Sequence, residues 1–180
     1  TGVGGAGYCV SSPISNADSK INNFKLSNVD FTSTLNSCTS YTNNTNQTIE
    51  LEKGGTYPLS LNLGSCGANF NKIAKVFIDW NGDNDFDDEN ELVATTNVIN
   101  TSGTYNTTIS VPTQVIVNNF SVLRIVLMET NNAADVLACG AFQKGETQEY
   151  RVKFTNSSID VAVTSILNPV GTICANTTQT

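Results

Sequence analysis

The chain has 180 residues, a net charge of −7, only 14% charged residues and no histidine. That composition excludes His-based zinc centres, Ser-His-Asp triads and Cys-His dyads. The absence of a basic patch argues against nucleic acid as a partner. Polarity comes from 24 Asn, 23 Thr and 16 Ser, a mixture that suits strands joined by turns.

Residues 1–7 are Gly-rich and are expected to form a flexible lead. The segment 21–31, INNFKLSNVDF, then alternates apolar positions, and QTIELEK (47–53) alternates Ile49 and Leu51. GGTYPLSLNLGS (54–65) places Tyr57, Leu59, Leu61 and Leu63 on one face of a strand. IAKVFIDW (73–80) is strongly apolar, and TYNTTISV (104–111) is Thr-rich. SVLRIVLM (121–128) is apolar on both faces, as a central strand should be. ETQEYRVKF (146–154) sets Tyr150, Val152 and Phe154 inward and Glu149, Arg151 and Lys153 outward.

No sustained helical stripe occurs. Short strands with turn signals between them predict an all-β, antiparallel sandwich or jelly roll. No apolar run reaches 18 residues, so no membrane-inserted helix is expected. The domain is placed at 8–155. Residues 156–180 read as a polar linker and the truncated start of a second β-domain.

Five cysteines are present: Cys9, Cys38, Cys66, Cys139 and Cys174. Their spacings match no metal or redox motif, and wide spacing in this composition points to disulfides of an oxidising compartment. Cys174 falls in the second-domain fragment, which leaves four for the first domain. Four cysteines allow three pairings, and spacing does not choose among them; Cys9–Cys139 with Cys38–Cys66 is the favoured set, and buried free thiols are the alternative.

The charge is concentrated. FIDWNGDNDFDDENE (77–91) holds seven acids, equal to the net charge, while the other nine acids balance nine basic residues. A single acidic focus points to a cation. With Asp79 as position 1, oxygen-bearing side chains recur at every second place: Asp79, Asn81, Asp83, Asp85 and Asp87. Asp88 and Glu91 complete the candidate ligand set. Calcium takes six to eight oxygens, and alternating short Asp and Asn side chains can supply them. The loop departs from an EF-hand: Asn84 stands where glycine is required, the Glu falls one step late, and a strand precedes it. Asn84 is a residue that tolerates the left-handed conformation. A solvated acidic loop is the plain alternative, and a catalytic carboxylate pair would need two separate environments across a cleft.

Five features occur in order along residues 8–155: Tyr8-Cys9, the acidic loop, Leu123–Leu127, Ala138-Cys139-Gly140, and Gly145–Tyr150. Together they resemble the GEVED domain family of secreted and surface proteins from Bacteroidetes-type bacteria. The last motif keeps Gly145, Glu146 and Tyr150 and departs at Thr147, Gln148 and Glu149. The resemblance implies a β-sandwich accessory module in large exported proteins, with no known catalytic activity.

Arg124 lies within the most apolar strand and needs a carboxylate partner; Glu146 and Glu149 are the candidates for a structural ion pair. Trp80 is a candidate for stacking on a sugar, and Tyr41 and Tyr105 for exposed loop contacts. The resulting expectation is a non-enzymatic, calcium-stabilised, secreted or cell-surface module. It would be monomeric within a multidomain chain and would serve adhesion or attachment to a polysaccharide or surface glycan. The alternatives are a carbohydrate-binding module using calcium or Trp80, and a structural spacer.

Overall fold

A computed structural model describes residues 7–157. The glycine-rich lead up to residue 6 and most of the second-domain fragment, with Cys174, lie outside the described residues. Ten strands form in chain order: β1 (Ser11–Ser15), β2 (Ser19–Leu26), β3 (Val29–Thr32), β4 (Tyr41–Glu52), β5 (Thr56–Ser65), β6 (Ile73–Ile78), β7 (Leu92–Thr95), β8 (Gly103–Ser110), β9 (Phe120–Met128) and β10 (Gly140–Thr155).

Two sheets face each other. The smaller has the order β3-β2-β5-β8, and the larger β1-β10-β9-β6-β7, with β4 also on β10. The all-β sandwich expected from the alternating segments is therefore present. One detail is corrected: β1 and β4 both pair with β10 in parallel, whereas the other pairings are antiparallel. Between β1 and β4 the chain crosses to the smaller sheet as β2 and β3 and returns. Both strands thus reach the same edge of the 16-residue β10 in the same direction. The stretch 21–31 is a hairpin, not one strand. Ser27 turns it at φ +52°, and Asn28 accepts from the Glu50 amide at 2.9 Å and donates to the Thr48 carbonyl at 3.0 Å.

Between the sheets lies the main core, to which Leu59, Leu61 and Leu63 of β5 and Tyr150, Val152 and Phe154 of β10 contribute. Each aliphatic side chain fully buried there stabilises the fold by about 1.5–3 kcal/mol. β9 is apolar on both faces because a second core covers the outer face of the larger sheet. That core holds Phe77, Phe86, Val122, Val126, Val136 and Ala138. Phe86 belongs to the acidic loop, so the loop is packed onto the sheet.

Two disulfides close the described chain, Cys9–Cys139 and Cys38–Cys66, with Cα separations of 5.7 and 5.6 Å. The first spans 130 residues and ties the segment before β1 to the segment before β10. Gly145 has a structural reason. Its φ is +147°, and a Cβ there would meet the Leu127 carbonyl oxygen at 1.9 Å, so only glycine lets β10 lie this close to β9.

Candidate metal centre

β6 ends at Ile78 and β7 begins at Leu92, and the acidic loop is everything between them. Its base is organised by two buried carboxylates. Asp79 accepts the amide protons of Gly82 at 2.6 Å and Asn84 at 3.1 Å, and the Tyr8 hydroxyl at 2.5 Å. Glu91 accepts from the Trp80 amide at 3.0 Å and the Asp88 amide at 3.3 Å. Left-handed residues make the turns tight: Gly82 at φ +80°, Asn84 at +75° and Asn90 at +73°. Burial pushes the Glu91 carboxyl up to about 7, with the charges of Asp79 and Asp88 adding to the rise. Burial, and then the bond to Asp79, also raises the Tyr8 phenol well above its usual range.

Above this base, Asp83, Asp85 and Asp88 converge, with one carboxylate oxygen from each within 4.8 Å of the others, all three residues exposed. The Asn81 amide donates to Asp83 at 2.8 Å and to Asp88 at 2.6 Å. Partial desolvation and the charges of Asp83 and Asp85 raise the Asp88 carboxyl above the usual range. Like charges at this separation repel by about 1 kcal/mol per pair even at the dielectric constant of water. Among the described residues, the Lys and Arg ion pairs form elsewhere: Lys25–Asp30, Arg124–Glu149, and Lys144 with Asp18 and Glu129.

The predicted ligand set thus divides. Asp83, Asp85, Asp88 and Asn81 are brought together. Asp79 and Glu91 are turned into the loop's backbone, and Asp87 stands outside the three-carboxylate group, its amide bonded to Asp85 at 2.9 Å. Alternation of oxygen-bearing residues is a strand-like criterion. The chain here turns repeatedly, so spacing by two does not keep side chains on one side.

Phe86 anchors the loop from its middle. Its ring lies 5.3 Å from Tyr8, 6.0 Å from Phe77 and 4.8 Å from the Arg124 guanidinium carbon. Arg124 is fully buried. Its Nε donates to Glu149 at 2.8 Å, and its two Nη atoms donate to the carbonyls of Ala138 and Cys9, each at 2.8 Å. Glu146, the other candidate partner, is on the opposite face of β10. It accepts from the Ile21 amide at 2.7 Å, Gln148 at 2.8 Å, Thr42 at 3.1 Å and Thr39 at 3.2 Å. Strand parity decides this, because residues three apart in a strand point to opposite faces.

Trp80 is in the main core, 7% exposed, with its ring 5.8 Å from Phe154 and its indole N–H on the Asn90 carbonyl at 2.9 Å. Little of the ring is left exposed for a sugar. Tyr41 and Tyr105 sit in strands, half-buried, rather than in exposed loops, and Tyr41 donates to Glu149 at 2.5 Å.

These positions can be set beside known proteins. Residues 74–153, from β6 through nearly all of β10, match the GEVED domain model. Over that stretch the chain is similar to the GEVED domain family. The match contains the acidic loop, Arg124 and the Gly145–Tyr150 motif, and the Tyr8-Cys9 feature precedes it. In the GEVED motif, Gln148 donates to Glu146 and accepts from the Tyr150 hydroxyl at 2.7 Å. A glutamate there would set two carboxylates side by side. Among solved structures, the CARDB domain of a Pyrococcus furiosus protein in complex with di-metal ions is similar. Identity is 8%, covering 78% of this chain and 96% of that one, with a TM-score of 0.41. The search of curated proteins returns no match.

Proposed function

We propose that this GEVED-like domain is a non-catalytic, calcium-stabilised extracellular module of a larger secreted or surface bacterial protein, serving adhesion or substrate attachment. The observation that carries the ion is the convergence of Asp83, Asp85 and Asp88 with, among the described residues, no basic side chain in an ion pair with them. Asp83, Asp85 and Asp88 would hold the ion, with Asn81 beside them, and it would neutralise their mutual repulsion. An all-oxygen donor set in a flexible loop favours calcium over magnesium, which demands strict octahedral geometry, and over zinc or copper, which prefer nitrogen and sulfur. The two disulfides support an oxidising, extracellular setting.

Titration calorimetry on metal-stripped protein tests the ion. Saturable one-to-one calcium binding, weaker for magnesium and lost in the D83N/D85N double variant, is expected. No calcium heat at millimolar concentration overturns it.

A second reading, attachment to a glycan through the ion, is favoured by one feature. A groove of about 450 Å³ runs beside the loop, with Phe77, Phe86, Val136, Asp87, Asp88 and Lys75 among its lining residues. Its distinguishing result is calcium-dependent glycan binding, abolished by chelator.

A further inference from the structure

The two ends of β6 carry different chemistry. The acidic loop follows its last residue, and an asparagine-rich cleft precedes its first. Six residues of extended chain place the two about 20 Å apart. The cleft measures about 410 Å³ and is formed where the segments before β6, before β8 and after β9 meet.

Next to the lining residue Asn71, a lysine is held inside the fold. Lys72 is fully buried, and its ammonium donates to the Gly64 carbonyl at 3.1 Å, Ser65 Oγ at 2.8 Å and the Thr101 carbonyl at 3.0 Å. It pairs with Ile99 through both backbone bonds, at 2.9 and 3.0 Å. One buried ammonium thereby ties together two of the three lining segments, those that carry Asn71 and Asn100.

Those side chains are ordered by one another. Asn100 donates to Asn71 at 2.8 Å, and Asn71 donates to Asn131 at 2.5 Å. The relay has a polarity: it leaves the Asn100 carbonyl as an acceptor at one end and the Asn131 amide protons as donors at the other. Beside it, Phe70 is 42% exposed and braced by the Lys144 ammonium 4.7 Å from its ring centre. Glu129 is held by Ser19 Oγ at 2.7 Å and lies 3.9 Å from Lys144. Lys144 itself is bonded to Asp18 at 2.7 Å.

This lining selects a ligand class. Glu129 disfavours an anion, and the ammonium groups of Lys72 and Lys144 are both already bonded within the protein. Phe70 is the sole apolar side chain among the lining residues, too little for a hydrophobic peptide. Paired amide donors and acceptors match neighbouring hydroxyls, which both donate and accept, and an exposed ring matches the C–H face of a pyranose. We infer that this cleft is a binding site for a neutral carbohydrate, with Phe70 as the platform and Asn71, Asn100 and Asn131 as the hydroxyl-reading groups. The inference deepens the attachment role proposed above and rests on that reading, but it does not rest on the ion.

The test uses the whole chain with linear cello-, xylo-, manno- and chito-oligosaccharides. Binding is followed by calorimetry and by the Asn side-chain amide signals in NMR spectra, with calcium and with chelator. At least one series should bind, shifting the Asn71, Asn100 and Asn131 amides equally well in chelator. Phe70→Ala and Asn131→Ala, both at exposed positions, should each weaken binding by about tenfold or more while the melting temperature holds. Absence of binding by all four series at millimolar concentration overturns the site, as does binding that neither variant changes. Binding that disappears in chelator or in D83N/D85N also overturns it, and moves the ligand to the acidic loop. Calcium binding without any sugar overturns the cleft and leaves the ion reading standing.

Discussion

Two groups of carboxylates sit on the larger sheet and are satisfied in opposite ways. On β10, Glu146 and Glu149 are almost fully buried and completely partnered, one by neutral donors and the other by Arg124. In the loop after β6, Asp83, Asp85 and Asp88 are exposed and crowd one another. A buried carboxylate without a partner would be too costly to keep, so β10 carries its own. An exposed cluster can wait for a cation from solution. The difference separates a fastening inside the fold from a site that faces outward.

The comparison predicts mutations of opposite sign. The largest effect is expected on the buried side. Arg124→Met strands Glu149 and frees the carbonyls of Cys9 and Ala138, and should cost about 3–5 kcal/mol by urea denaturation. A loss below about 1 kcal/mol would remove the contrast. Replacing both Cys9 and Cys139 by Ser opens the clamp that brings the Tyr8 segment to Asp79 and should cost about 2–5 kcal/mol. On the exposed side, D83N/D85N in metal-free protein should be neutral or stabilising by up to about 1 kcal/mol, because it removes repulsion. A clear destabilisation would mean that those carboxylates already have partners.

The smallest effect concerns pH. Glu91, raised to about 7, binds its proton more tightly in the folded than in the unfolded chain. Where the folded state holds more protons, stability falls as pH rises. The metal-free protein should therefore lose stability between roughly pH 4.5 and 7, starting from the ordinary carboxylate value. Glu146, raised chiefly by its burial, adds to the same slope. Glu91→Gln should flatten the profile, and an unchanged slope would assign it elsewhere.

Much of the fold was legible because burial is written as alternation. β5, β6, β8 and β9 fall within a residue or two of the segments read from pattern. The strands that escaped notice are polar or short. β1 and β7 have four or five residues each, and the first half of β4, Tyr41–Asn46, has hardly an apolar side chain. They are strands because β10 and β6 offer edges to pair with, which is tertiary information. The parallel pairings were hidden for the same reason.

Within the site, the concentration of acid and the tolerance of Asn84 for positive φ could be read directly. The division of labour could not. Asp79 and Glu91 look like Asp83 and Asp88 in sequence, and only their position at the strand ends turns them toward backbone amides. Parity along β10 did contain the choice of Glu149 over Glu146, since Glu149 lies on the face opposite Tyr150, Val152 and Phe154. The asparagine cleft gave no signal, because its members come from three distant segments and each is an ordinary turn residue alone.

The central claim is that the exposed cluster is completed by calcium. Thermal melts of the metal-stripped chain, without and with a large excess of calcium, test it most directly. An ion that binds only the folded state at 100 times its dissociation constant adds about 2.7 kcal/mol. The melting temperature should rise by several degrees, return to its starting value in chelator, and stay fixed in D83N/D85N. A melt that calcium leaves unchanged at millimolar concentration, with removal of metal verified, would contradict the account.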